Sequence, residues 1–137
     1  MRNPHDLVPF SAIVDRPKLK LPGGARMIVW TIVNIEQWEI VRPMARQVLP
    51  PPTGITMQPD FPNWSWHEYG MRVGVWRLMK VFKNLGVTPC VTLNAKICET
   101  YPQVVEACMK NGWELNAHSY DQQPMHKLEN QQEVVEK

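Results

Sequence analysis

Residues 88–117, TPCVTLNAKICETYPQVVEACMKNGWELNA, hold two short apolar runs with one helical pattern between them. The runs at 88–93 and 113–117 read as short strands, each bounded by turn or cap residues. Between them, Pro102 stands where a helix begins, because proline at the first helical position gives up only an N–H that has no intrahelical partner. Val104, Val105 and Cys108 give that helix an apolar face, and Asn111-Gly112 ends it. Two strands joined by one short helix make a minimal β-α-β unit, which predicts parallel pairing through a right-handed crossover.

Upstream lies a clearer helix. Val75, Leu78, Met79, Phe82 and Leu85 recur at helical spacing on one face, and Gly86 is placed to stop it. Residues 41–66 read as an irregular region, with Pro50-Pro51-Pro52 as a stiff extended piece and Gly54, Pro59 and Pro62 after it. Trp64, Trp66 and Tyr69 close that region and are expected to pack part of it down. Residues 26–33 form a β-branched, nearly continuous apolar run, which suits a strand covered on both faces. Residues 1–24 carry Pro4, Pro9, Pro17 and Pro22 and a Gly23-Gly24 turn, so an irregular arm is expected. Residues 127–137 read as a weakly amphipathic helix. The order β, long loop, α, β, α, β, α predicts an α/β fold with parallel strands and helical crossovers. The arm, 1–24, is followed by one domain, 25–137.

Composition narrows the function classes. The chain has 137 residues and a net charge of +2, with no Lys/Arg run beyond Arg16, Lys18 and Lys20 in the arm. No nucleic-acid partner is expected from so weak a basic patch. The longest apolar stretch, 27–33, falls far short of the roughly 20 residues a membrane helix needs, so no membrane partner is expected either. No targeting signal is expected, because residues 1–10 hold His5, Asp6 and two prolines and no long apolar core. Three cysteines, Cys90, Cys98 and Cys108, with no C-x-x-C spacing, point to buried, reduced thiols in a cytoplasmic protein.

Three segments stand out together. The first runs from Gly24-Ala25-Arg26 to Val33-Asn34-Ile35-Glu36. The second, Glu68-Tyr69-Gly70-Met71-Arg72-Val73-Gly74-Val75-Trp76-Arg77, is the most specific. The third is Gly112-Trp113-Glu114-Leu115-Asn116-Ala117-His118-Ser119-Tyr120. In this order they resemble the polysaccharide deacetylase (NodB-homology) family, in the branch of the non-classical allantoinases. The resemblance spans about residues 20–130. It implies the N-terminal part of a distorted (β/α) barrel, whose complete form needs about 200 residues or more. It also implies hydrolysis of non-peptide C–N bonds, in N-acetylated sugars or in linear and cyclic amides such as ureides. The alternative is a truncated, non-catalytic remnant or interaction module of that family.

Site residues in such barrels sit at the C-terminal ends of strands. Asn34 and Glu36 close the first strand, Asn94 the second and His118 the third. The resemblance therefore implies Glu36 and His118 as catalytic groups, with Asn34, Trp66, His67, Glu68 and Asn94 as substrate-binding residues. Metal-using members of the family hold a divalent, zinc-like ion on one Asp and two His. Here the adjacent Asp pair is replaced by Asn34-Ile35-Glu36. Gln122 stands four residues after His118, where the second histidine is usual, and His126 stands eight residues after it. The metal candidates are therefore Glu36, His118 and His126, and a standard site of two histidines and one carboxylate is not expected. Asp121 is a candidate to orient His118. Glu68 and Arg72, four apart, are spaced to pair with each other. The expected partners are the small-molecule substrate and a second copy or complementing C-terminal half.

Overall fold

The computed structural model describes residues 4–51, 53–124, 128 and 132. Three parallel strands, β1 (Ile32–Ile35), β2 (Cys90–Leu93) and β3 (Glu114–Ala117), form one sheet in the order β1-β2-β3. Their register is even: Asn34 lies beside Thr92, and Thr92 beside Asn116. A short helix α1 (Pro4–Leu7) lies in the N-terminal arm. Helix α2 (Phe61–Tyr69) runs through one π-helical turn, Gly70–Gly74, into α3 (Val75–Leu85), and α4 (Ile97–Thr100) and α5 (Pro102–Lys110) follow β2. The fold is thus mixed α/β around a small parallel sheet, and the β2-α5-β3 unit matches the sequence expectation.

The core follows from strand alternation. Ile35, Val91 and Leu93 are buried on one face of the sheet against Met71, Val75, Met79, Val104 and Cys108 of the helices. Trp113 joins them, its ring meeting Phe82 edge-on at 5.7 Å. Of the predicted helical stripe, Val75 and Met79 are buried and Phe82 partly so, whereas Leu85 is exposed. Gly86 ends α3 in the left-handed conformation (φ 64°), where a side chain would be strained.

Three expectations need correction. The strand expected over 26–33 is present only from Ile32, and Met27, Ile28, Val29 and Trp30 are exposed rather than covered. β1 is an edge strand with β2 as its partner, and β2 itself begins only at Cys90, which lies beside Ile32, so the ladder starts there. The last rung is Cys90 N–H to the Thr31 carbonyl, 3.1 Å. The irregular region stops at Asp60 rather than 66, because Asp60 caps α2 by accepting from Asn63 N–H at 3.1 Å and Pro62 sits in its first turn. Of the three cysteines, Cys90 and Cys108 are buried as expected, but Cys98 is exposed. The helix expected over 127–137 lies almost entirely outside the described residues.

Candidate functional site

The C-terminal ends of the three strands converge on Asn94, the residue that follows β2. It is 0% exposed. Its carbonyl accepts from Gln37 N–H at 2.8 Å, and its amide donates to the His118 carbonyl. Its own N–H donates to the Ile35 carbonyl at 3.2 Å, while His118 N–H donates to the Leu93 carbonyl at 3.1 Å. Asn94 therefore fastens the strand-end loops after β1 and β3 to β2. Both ends of its side chain are bonded to backbone, so it supports the site from beneath.

Above it, Glu36 and His118 face each other, with Glu36 Oε1 3.8 Å from His118 Nε2. That gap is too long for a direct hydrogen bond, yet both atoms can reach one water placed between them on the open side. Both side chains are partly exposed.

Glu36 is held on its other sides. Its Oε2 accepts the indole N–H of Trp38 at 2.9 Å, and its backbone carbonyl lies 2.6 Å from His67 Nε2. A carbonyl only accepts, so Nε2 of His67 carries the proton. The His67 ring stacks on Trp38 with centroids 5.0 Å apart and an interplanar angle of 17°. Its Nδ1 has no hydrogen-bond partner among the described residues and faces Glu68 Oε1 at 3.8 Å.

Glu68 is buried but well partnered. Its Oε2 accepts from Arg72 Nε at 2.7 Å and its Oε1 from the Tyr101 hydroxyl. Burial, and secondarily the hydrogen bond to Glu68, raise the Tyr101 pKa well above its ordinary value, so that hydroxyl stays protonated and donating. Within the conspicuous segment 68–77, Glu68 thus pairs with Arg72. Tyr69 in turn accepts from Arg77 at 2.7 Å, with the guanidinium over its ring.

The remaining candidates fall in different places. Asn34 lies on the uncovered face of β1 and accepts from the Thr92 hydroxyl at 2.6 Å. Trp66 is half exposed, its ring 6.3 Å from Trp38. Asp121 does not orient His118: its Oδ2 pairs with Arg42 at 3.1 Å. A cleft of about 270 Å³ opens beside this corner, lined by Glu39, Arg42, Met44, Gln122 and Gln123 among others. Gln122 joins cleft to site, since its N–H donates to the Gln37 carbonyl at 3.1 Å.

Sequence reasoning missed Trp38 and Gln37, which hold the site together. Trp38 lies two residues beyond Glu36, a local signal that was available. The partners of Gln37 come from residues 94, 100 and 122, and only the fold reveals them.

The family model for polysaccharide deacetylase matches residues 65–136, just over half of the sequence. The chain belongs to that family. No curated protein and no solved structure matches it. The matched region contains the segments around Glu68 and His118 but not the one around Glu36. The place of Glu36 in the site therefore rests on the geometry just described. For the metal that some members of the family use, Glu36 and His118 supply two donors at a plausible spacing. No group of three His, Cys, Asp or Glu side chains gathers among the described residues, and catalytic zinc sites use three protein ligands. The described residues do not make up such a site, and His126 lies outside them. No helix among the described residues is long and apolar enough to cross a membrane.

Proposed function

We propose that this chain carries the front of a hydrolase site for non-peptide C–N bonds, with Glu36 and His118 as its catalytic groups. The observation that supports this best is their 3.8 Å approach across the C-terminal ends of β1 and β3, with both side chains open to solvent. Amide hydrolysis needs an activated water and a group that supports the charge and proton changes of the tetrahedral intermediate. Glu36 Oε1 takes the proton of a water lying between the pair, and the water oxygen adds to the acyl carbon. His118, entering the step protonated on both ring nitrogens, gives its Nε2 proton to the leaving nitrogen as the C–N bond breaks, and the proton held by Glu36 passes back to His118 as the acid and amine products leave. The rest of the substrate lies toward the cleft of Arg42, Gln122 and Gln123, whose side chains suit carbonyl, hydroxyl and amide groups.

The substrate class is an N-acetylated sugar or a linear or cyclic amide such as a ureide, the latter in keeping with the allantoinase-like segment 68–77. Here the chain is the N-terminal part of a (β/α) barrel, 25–137 behind an arm at 1–24. Its unpaired thiols suit the reducing cytoplasm. The test is a panel of N-acetylated sugar oligomers and ureides, read by acetate release and by ring opening. Hydrolysis of one class, lost in His118→Ala by about 10²-fold or more, is the expected result. No hydrolysis across the panel, or a fully active His118→Ala, contradicts the proposal.

A second reading, an interaction module without turnover, is favoured by the sheet itself. β1 and β3 are both edge strands, and a row of apolar side chains at 27–30 stands exposed beside β1. Unpaired edges invite another strand, from a second copy or a complementing C-terminal half. Light scattering on the purified chain separates a defined oligomer from a monomer.

A further inference from the structure

We propose that Trp38 is a positioning residue for the hydrolysis assigned above to Glu36 and His118, a role that rests on that reading. Four observations lead there. Trp38 is 5% exposed, yet its one polar atom is directed at the Glu36 carboxylate, not at backbone. The indole N–H takes Oε2, which leaves Oε1 as the oxygen that faces His118. The indole is itself fixed, because it stacks on His67, and His67 is 8% exposed and bonded to the Glu36 backbone carbonyl. Finally, Asn94 holds the next residue, Gln37, through its N–H.

Glu36 is thus tied at its carbonyl by His67 and at one carboxylate oxygen by Trp38. A glutamate has three rotatable side-chain bonds, and without the second tie its carboxylate is free to swing away from His118. Holding it in one geometry removes that search from the reacting state. Trp38 exchanges no proton with the substrate; it determines which oxygen of Glu36 does.

The test compares wild type with Trp38→Phe, which keeps an aromatic ring against His67 but has no N–H. Trp38→benzothienylalanine, which keeps the indole shape and replaces N–H by sulfur, guards against a packing defect. Both variants are expected to lose kcat by about 10-fold or more with KM nearly unchanged, since misplacing a reacting group acts on the reacting state. In a Glu36→Gln background, Trp38→Phe should add little further loss, because the two residues act as one unit. Full kcat in the benzothienylalanine variant, or strictly additive losses, overturns the proposal. A readout independent of turnover is the Trp38 indole N–H resonance, identified by its absence in Trp38→Phe. It should shift in Glu36→Gln, and an unmoved signal overturns the contact. A wild-type chain that hydrolyses nothing refutes the functional reading itself. An active wild type with an equally active Trp38→benzothienylalanine refutes only the role of Trp38.

Discussion

The two ends of strand β1 have opposite fates. At its C-terminal end every turn of the chain is tied: Ile35 to Asn94, Glu36 to His67 and Trp38, Gln37 to Asn94 and Gln122. At its N-terminal end, Met27, Ile28, Val29 and Trp30 are as apolar as any strand in the molecule, yet they lie exposed and outside the ladder. Strand-like composition alone does not make a strand. Paired extended backbone needs a neighbouring strand, and β2 begins only at Cys90, beside Ile32, past these residues.

The contrast can be broken by mutation. The largest stability effect is expected at Trp113, buried against Phe82 on the core face: Trp113→Ala should cost about 3–5 kcal/mol in denaturant unfolding. Trp30→Ala, before β1, should cost no more than about 1.5 kcal/mol, since the exposed ring has one side-chain tie, its indole N–H to Cys90 Sγ at 2.8 Å. A comparable loss at Trp30 would mean that residues 27–30 are packed after all. Asn94→Ala should cost about 1–3 kcal/mol, because Gln37 N–H and the His118 carbonyl lose their buried partner. If Asn94 only contacted substrate, stability would not change and KM alone would rise.

Chemical labelling sharpens the same comparison without mutation. Cys98 is exposed, whereas Cys108 is buried and its thiol is pushed up to about 11 by desolvation. The thiolate is the reactive form, so at pH 8 a thiol reagent should modify Cys98 in preference to Cys108. Cys108 should react at comparable rates only once denaturant exposes it, and equal native rates would contradict the packing of α5.

How much was legible beforehand follows the same physics. The β2-α5-β3 unit was readable because pattern, proline and glycine all agree within 30 neighbouring residues, 88–117. The placement of Glu36 and His118 after β1 and β3 came instead from the family resemblance, since Glu36 lies outside that stretch and the strand before it is shorter than its apolar run. Helix α2 was missed because Pro59 and Pro62 read as breakers, although a proline in the first turn after a capping Asp60 starts a helix. The burial of Asn94 and the hub at Gln37 depend on partners 24 to 85 positions away in sequence, and no local pattern encodes them.

The most direct test of the strand-end site is the turnover of Glu36→Gln, measured on the substrate the wild-type chain hydrolyses, with unfolding followed in parallel. Gln keeps the shape and an acceptor for the Trp38 indole but cannot take a proton from water. A loss of kcat of about 10²-fold or more at unchanged stability is the predicted result. Full activity in Glu36→Gln would show that the chemistry lies elsewhere.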